Sequence, residues 1–247
     1  MAVLTGRVSA LLRLTGIQAT WSYERMQGVG LGSAAEPLLR GLFGGDGPSY
    51  REALGRATGF FNANPYLASA AVGAEARAEA DGVPGPQIER LRTALCGPLG
   101  SLGDRLFWTG LVPALASAAI VGVALGFGVW PVLAFVLIHN LLRGGLSVWL
   151  LELGWQHGIG IGAAISGSVL PRASTVVGRA AAYLGAAMLP IAGTWLLRGA
   201  GRGDLLGVIG LMAGLLVLRR LAGSRGSALM LTLAAAVAVI LWHWGTA

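Results

Sequence analysis

The chain has 247 residues, of which 55% are hydrophobic and only 12% are charged, and its mean hydropathy is +0.69. This composition excludes an ordinary soluble domain and indicates an integral membrane protein. All 18 basic side chains are arginine, and we interpret them as residues flanking membrane helices, so we expect no nucleic-acid binding. The single cysteine, Cys96, excludes an intramolecular disulfide and a cysteine metal cluster. We expect no metal ion and no cofactor.

Residues 1–104 form the first predicted region, because they hold most of the acidic residues and no apolar run long enough to span a bilayer. Its first predicted element is an amphipathic helix on the membrane surface over residues 1–14. The segment 17–32 follows, and it concentrates aromatic and polar side chains. An interfacial helix would explain its aromatic anchors, but it leaves the charged and amide groups unexplained. These side chains are Trp21, Tyr23, Glu24, Arg25 and Gln27.

Two asparagines, Asn62 and Asn64, stand just before Pro65. Their amides can both donate and accept hydrogen bonds, which suits sugar hydroxyls, but the same residues also form Asx turns. Both interpretations remain open from the sequence. The alanine-rich segment 68–79 is predicted to be helical.

The segment 95–113 contains three glycines and a proline ahead of one carboxylate, Asp104. Glycine and proline predict a bend at the mouth of a membrane helix. Asp104 then either belongs to a binding site or caps the following helix. The bend residues are Gly97, Pro98, Gly100 and Gly103.

Residues 105–247 form the second predicted region, with about five transmembrane helices by the length rule. The predicted spans are 106–127, 129–151, 180–197, 205–218 and 228–244, with a re-entrant or interfacial segment at 153–171. The second span contains His139, Asn140 and Arg143. Polar groups at membrane depth are functional candidates, although Arg143 could instead extend to the membrane surface. The fold class is therefore an all-α integral membrane protein.

Three motifs occur in series: W-S-Y-E-R-M-Q at 21–27, F-F-N-A-N-P at 60–65 and G-P-L-G-S-L-G-D-R-L-F-W at 97–108. Together they closely resemble the IID membrane subunit of the mannose/fructose/sorbose-family phosphotransferase systems, over about residues 10–165. The matching residues are Trp21, Tyr23, Glu24, Arg25, Gln27, Phe61, Pro65, Gly97, Pro98, Gly100, Gly103, Phe107, Trp108, Asn140 and Arg143.

The resemblance implies a multi-pass subunit of a phosphoenolpyruvate-dependent transporter in the bacterial cytoplasmic (inner) membrane, surrounded by membrane lipid. It implies that the N-terminal helices are partly re-entrant, and that the chain pairs with a IIC subunit in a hetero-oligomer, implied to be trimeric. The two subunits would form the path of a hexose-type sugar. Soluble IIA and IIB proteins would carry the phosphoryl group, so this chain itself is not expected to be an enzyme. The expected substrate-binding residues are Asn62, Asn64, Glu79 and Asp104.

Several polar residues of the family pattern are absent. An Arg-His pair before the F-F-N motif is missing, an arginine near Pro113 is missing, and Glu79 is followed by Ala80 instead of a second glutamate. These losses favour an alternative, in which the chain is a divergent IID-like protein that acts as an interaction or regulatory partner without transport. Without the arginine, Asp104 would pair with Arg105 or with a residue of the IIC subunit.

Overall fold

The computed structural model describes residues 6–196 together with Gly210 and Gly214. In this part the chain forms nine α-helices and no β-strand, which confirms the all-α prediction. Apart from the two glycines, the predicted spans 205–218 and 228–244 lie outside the described residues. The helices are α1 (Arg7–Leu14), α2 (Gly28–Phe43), α3 (Pro48–Ala57), α4 (Ala68–Ala80), α5 (Gly85–Leu106), α6 (Val112–Ala124), α7 (Trp130–His157), α8 (Ile161–Ser166) and α9 (Leu170–Leu196).

Three helical stretches are long and apolar enough to cross a membrane: Gly85–Ala124, Trp130–Ser166 and Leu170–Ile191. They confirm that the chain is a membrane protein, but their bounds differ from the predicted spans. Residues 153–171, predicted to be a re-entrant or interfacial segment, are largely helical: α7 continues to His157 and a short 3-10 turn joins it to α8. Gly158 has a φ of +49° and ends α7, so the glycine-rich sequence does interrupt the regular α-helix here.

The sequence predicted a bend at residues 97–103. This prediction is wrong, because the segment lies inside α5. Leu95, Leu99, Leu102 and Leu106 repeat every three or four residues and are all buried. Each helical glycine costs about 1 kcal/mol relative to alanine, whereas burying one leucine gains roughly 1.5–3 kcal/mol. Burial of this apolar face therefore outweighs the weak helix propensity, and Asp104 lies within the helix instead of capping the next one.

A π-helical turn, Phe107–Leu111, joins α5 to α6. Pro113 follows it at the start of α6. Proline has no N–H to donate to the carbonyl group four residues earlier, and its ring displaces that carbonyl. The wider turn relieves this conflict without breaking the helix, and Trp108 projects from it.

Helix α4 lies at the centre of the described part of the chain, and ten of its 13 residues are buried. Alanine and glycine predominate in it, so neighbouring backbones can approach it closely. At the crossing of α4 with α7, a Cβ atom on Gly73 would overlap the carbonyl oxygen of Leu151. A Cβ atom on Gly154 would overlap the carbonyl oxygen of Ala70. The crossing therefore requires glycine on both helices.

A buried ion pair joins α4 to α5. Arg92 Nε donates to Glu75 Oε1 at 3.1 Å, Arg92 Nη2 donates to Glu75 Oε2, and Nη1 donates to the carbonyl oxygen of Gly59 at 3.3 Å. Both side chains are buried. Burial raises the pKa of the Glu75 carboxyl, and the charge of Arg92 opposes this rise. Each charge thus depends on the other for its place in the core.

We expect Gly154→Leu to destabilise the fold by about 1–3 kcal/mol, because the added side chain must separate α4 from α7. Leucine is a strong helix former, so helix propensity does not contribute to the loss. The measurement is the thermal unfolding midpoint in detergent. Gly145→Leu on the same helix is the control, since a Cβ atom there has no neighbour within 4 Å. Equal midpoints for the two variants would contradict the close crossing.

We expect Arg92→Met to destabilise the fold by about 3–5 kcal/mol, because it leaves Glu75 buried without its partner. Burial raises the pKa of the Glu75 carboxyl in the folded state, and in the variant no guanidinium opposes that rise. The stability of the variant is therefore lost as the pH rises through this pKa, so it should be less stable at about pH 8 than at about pH 5. Unfolding midpoints at both pH values measure this difference.

The control for the ion pair is the double variant Glu75→Leu/Arg92→Met. It removes both charges and should recover most of the stability, because an apolar pair leaves no uncompensated charge. A double variant as unstable as Arg92→Met would argue against the unpaired carboxylate as the cause.

Candidate functional site

The segment that carries Asn62 and Asn64 is held against the turn before α2. The backbone N–H of Gln27 donates to the carbonyl oxygen of Phe61 at 2.9 Å, and the N–H of Phe61 donates to the carbonyl oxygen of Arg25 at 3.3 Å. The Phe61 side chain is fully buried. These contacts hold the backbone of residues 60–65, from which both asparagine side chains extend.

Asn64 is buried and connects two segments distant in sequence. Its Oδ1 accepts from the backbone N–H of Tyr66 at 3.0 Å, which confirms an Asx turn. Its Nδ2 donates to Asp104 Oδ1, on the last turn of α5, also at 3.0 Å. Gly103 permits this contact, because a Cβ atom there would overlap the Asn64 side chain. Asp104 therefore pairs with Asn64, while Arg105 Nε donates to the carbonyl oxygen of Ser101.

A polar cavity of about 280 Å³ lies beside this pair, close to the ~300 Å³ lower limit of small-molecule pockets. Asp104 contributes a carboxylate, the asparagines contribute amides, and Trp108 contributes an aromatic ring. Among the lining residues Asp104 carries the one charge, so the cavity suits neutral ligands rich in hydroxyl groups better than anions. It is lined by Gln18, Gln27, Asn62, Ala63, Asn64, Pro65, Gly100, Asp104 and Trp108.

The structure thus brings together three of the four predicted substrate-binding residues. Glu79 is not among them, because it lies near the C-terminal end of α4. Ala68, the first residue of α4, follows the asparagine segment, and Glu79 is roughly 16 Å farther along the helix. It accepts from Arg56 Nε at 2.9 Å and from Arg56 Nη2 at 2.8 Å. These hydrogen bonds raise the pKa of Arg56. Glu79 thus forms a bidentate ion pair that ties α3 to α4.

Asn140 and Arg143 line a second cavity, of about 340 Å³, between α1 and α7. Asn140 Nδ2 donates to the carbonyl oxygen of Val136 in its own helix at 2.8 Å. Arg143 Nη2 donates to the carbonyl oxygen of Thr15 at 3.1 Å, and its guanidinium lies 5.0 Å from the centre of the Tyr66 ring. Arg143 is half-buried and holds α1 against α7.

Two residues near the polar cavity were not predicted from the sequence. Tyr66 contacts the ring of Trp108, with the ring centres 5.4 Å apart, and also packs against Phe107 and His139. Gln18 lines the cavity from the turn after α1. A lone glutamine or tyrosine follows no spacing rule, so only the fold reveals their positions.

The interfacial helix considered for 17–32 is wrong for its first part, because residues 17–27 form turns and α2 begins at Gly28. Ser22 stabilises these turns, because its Oγ accepts from the backbone N–H of Arg25 at 3.2 Å. Gln27 is buried at the end of these turns and its Nε2 donates to the carbonyl oxygen of Ala63 at 2.9 Å. This motif residue thus supports the wall of the cavity.

Residues 5–218 match the family model of the phosphotransferase-system mannose/fructose/sorbose family IID component. The chain is 28% identical over 166 residues to the mannose-specific EIID component of Escherichia coli strain K12, covering 65% of this chain and 58% of that protein. It is 30% identical over 170 residues to the sorbose-specific EIID component of Klebsiella pneumoniae, covering 67% and 61%. The chain therefore spans less than two thirds of the length of these curated relatives.

Two solved structures are similar to the chain. One is the mannose transporter ManYZ in complex with microcin E492, with 25% identity and a TM-score of 0.59 over 76% of this chain and 70% of that chain. The other is described as a membrane protein, with 25% identity and a TM-score of 0.66 over 75% and 70%. The chain thus belongs to the mannose/fructose/sorbose family of phosphotransferase-system IID components.

Proposed function

We propose that the chain is the IID membrane subunit of a phosphoenolpyruvate-dependent sugar transporter and forms the sugar path together with a IIC subunit. The observation that carries the proposal is the polar cavity between residues 60–65 and the end of α5, in a chain that is otherwise strongly apolar. Membership of the IID family and the similarity to the mannose transporter ManYZ support it. The cargo in this proposal is a hexose-type sugar.

Each polar group of the cavity has a distinct role in the proposal. Asp104 keeps one carboxylate oxygen for a sugar hydroxyl, since Asn64 occupies the other. Asn62 is exposed and offers both amide atoms to the sugar, and the half-exposed Trp108 ring packs against its apolar face. Asn64 is a positioning residue, because its own hydrogen bonds are made within the chain.

Membership of the IID family supports the remaining parts of the proposal. Soluble IIA and IIB proteins carry the phosphoryl group, and IIB transfers it to the arriving sugar. This chain orients the sugar and supplies no phosphoryl-accepting residue. The assembly is a trimeric hetero-oligomer in the bacterial cytoplasmic membrane.

A second candidate is an interaction or regulatory partner without transport. The observation that favours it is the engagement of Glu79 by Arg56, which removes one acidic group from the expected sugar path. The missing family polar residues point the same way. Complex formation with a IIC subunit in the absence of sugar uptake would support this candidate.

We expect Asp104→Ala to lower the uptake of radiolabelled hexose at least about tenfold, the effect of losing roughly 1.4 kcal/mol of sugar binding. Uptake is measured in cells that also produce the IIC, IIA and IIB proteins, and omission of IIC should abolish it. Asn64→Ala should weaken apparent sugar affinity, because it releases the Asp104 carboxylate.

The matched control is Asp81→Ala, which removes an exposed carboxylate directly after α4 whose partner is Arg77 in that helix. It should leave uptake unchanged. Wild-type uptake by Asp104→Ala, at equal amounts of protein in the membrane, would remove this carboxylate from the sugar path.

A further inference from the structure

The turn formed by residues 21–26, here called the motif turn, is held by its backbone and one hydroxyl group. The N–H of Met26 donates to the carbonyl oxygen of Ser22 at 2.8 Å, and the N–H of Ser22 donates back to Met26 at 3.2 Å. Ser22 Oγ and the backbone of Phe61 provide two further contacts, both to the backbone of Arg25. The side chains of Trp21, Tyr23, Glu24 and Arg25 contribute no hydrogen bond to this framework.

These four side chains all point outward. Tyr23 is 84% exposed and Trp21 is 45% exposed, and their rings meet edge to face with centres 4.9 Å apart. Glu24 and Arg25 are exposed, and neither forms an ion pair within the part of the chain that the structure describes. The motif turn therefore presents an exposed aromatic pair next to an acid and a base that have no ion-pair partner among the described residues.

The backbone of the motif turn is strained as well as fixed. Met26 has a φ of +51°, in the left-handed region that non-glycine residues rarely adopt. Such a conformation costs of order 1–3 kcal/mol and persists where the surroundings impose it. An aromatic anchor in the lipid headgroup region needs no fixed geometry, whereas a protein contact does.

Charge also favours a protein over a lipid surface. The cytoplasmic leaflet is negatively charged and attracts basic segments, but Glu24 beside Arg25 cancels this attraction. An acid and a base side by side instead match a partner with the complementary pair. Tryptophan, tyrosine and arginine are the residues most enriched at the energetic centres of protein interfaces.

The position of the motif turn links this surface to the polar cavity. Gln27, which follows the turn, and Gln18, which precedes it, both line the cavity. A partner seated on the turn would therefore lie beside the cavity opening. A subunit that completes the cavity has to bind at such a place.

We propose that the motif turn is the surface by which this chain docks onto its partner membrane subunit. Trp21 and Tyr23 enter an apolar socket of that subunit, and Glu24 and Arg25 pair with a basic and an acidic group at its edge. This inference rests on the proposed function, in which the chain shares the sugar path with a second subunit.

The test is co-purification with an affinity-tagged IIC subunit of the same transporter, extracted from membranes in mild detergent. The swap Glu24→Arg/Arg25→Glu keeps the net charge and reverses the pattern, so it should lower the recovered chain at least about tenfold. The matched control is Glu89→Arg/Arg90→Glu, the same exposed pair of residues on α5, which should co-purify like wild type.

A second readout reports directly on burial of the turn. In a Cys96→Ala background, Tyr23→Cys should react with a water-soluble maleimide when the chain is alone and be protected when the IIC subunit is present. Glu89→Cys should react equally in both states. Protection of Tyr23→Cys in lipid vesicles without IIC would identify a membrane anchor and overturn the proposal.

The outcomes separate the two proposals. If wild type co-purifies with IIC and both charge-swap variants are recovered in equal amounts, the proposed docking surface is wrong, while the proposal of a shared sugar path is unaffected. If wild type does not co-purify with IIC, both the shared sugar path and the docking surface are contradicted. If only the variant with the charge swap in the motif turn fails to co-purify, the docking surface is supported independently of any sugar measurement.

Discussion

The close crossing of α4 and α7 is the constraint on which the rest of the described structure depends. Glycine on both helices brings the two backbones together, and the alanines of α4 allow neighbours to pack around it. Glu75 is thereby placed in the core, and Arg92 must reach it from α5. That ion pair sets the position of α5, whose last turn carries Asp104. The geometry of the cavity thus originates far from the cavity itself.

Asn64 shows how one side chain can serve the fold and the site together. Its oxygen closes the Asx turn and its nitrogen holds the carboxylate of Asp104. A turn role and a ligand-binding role had been treated as alternatives from the sequence. The turn is present, and it leaves Nδ2 free to reach α5, where it donates to Asp104. The motif asparagines therefore differ in kind: Asn64 is buried and engaged, whereas Asn62 remains exposed.

Composition and motif order predicted the membrane class, the all-α fold and the family, because these depend on averages and on residue types in series. Local propensity failed for residues 97–103, where a buried leucine face overrides the glycines. The family resemblance placed Glu79 among the expected substrate-binding residues, but the structure pairs it with Arg56, because a carboxylate on a helix pairs with whichever cation the tertiary fold supplies. The polar cavity combines predicted Asn62 and Asp104 with unpredicted Gln18, which no sequence spacing connects to them.

The π-helical turn at Phe107–Leu111 has a consequence for chain length. One such turn accommodates an extra residue, so all later positions are rotated by about 100° relative to an uninterrupted α-helix. The buried residues of α6 that follow the turn, Ala114, Ser117 and Ala119, are all small. Deletion of one residue here would convert the π-helical turn into an ordinary α-helical turn and leave the orientation of α6 unchanged, whereas a deletion within α5 or α6 would rotate the later residues by about 100°. The π-helical turn is therefore a place where the length of this segment can change by one residue without reorienting α6.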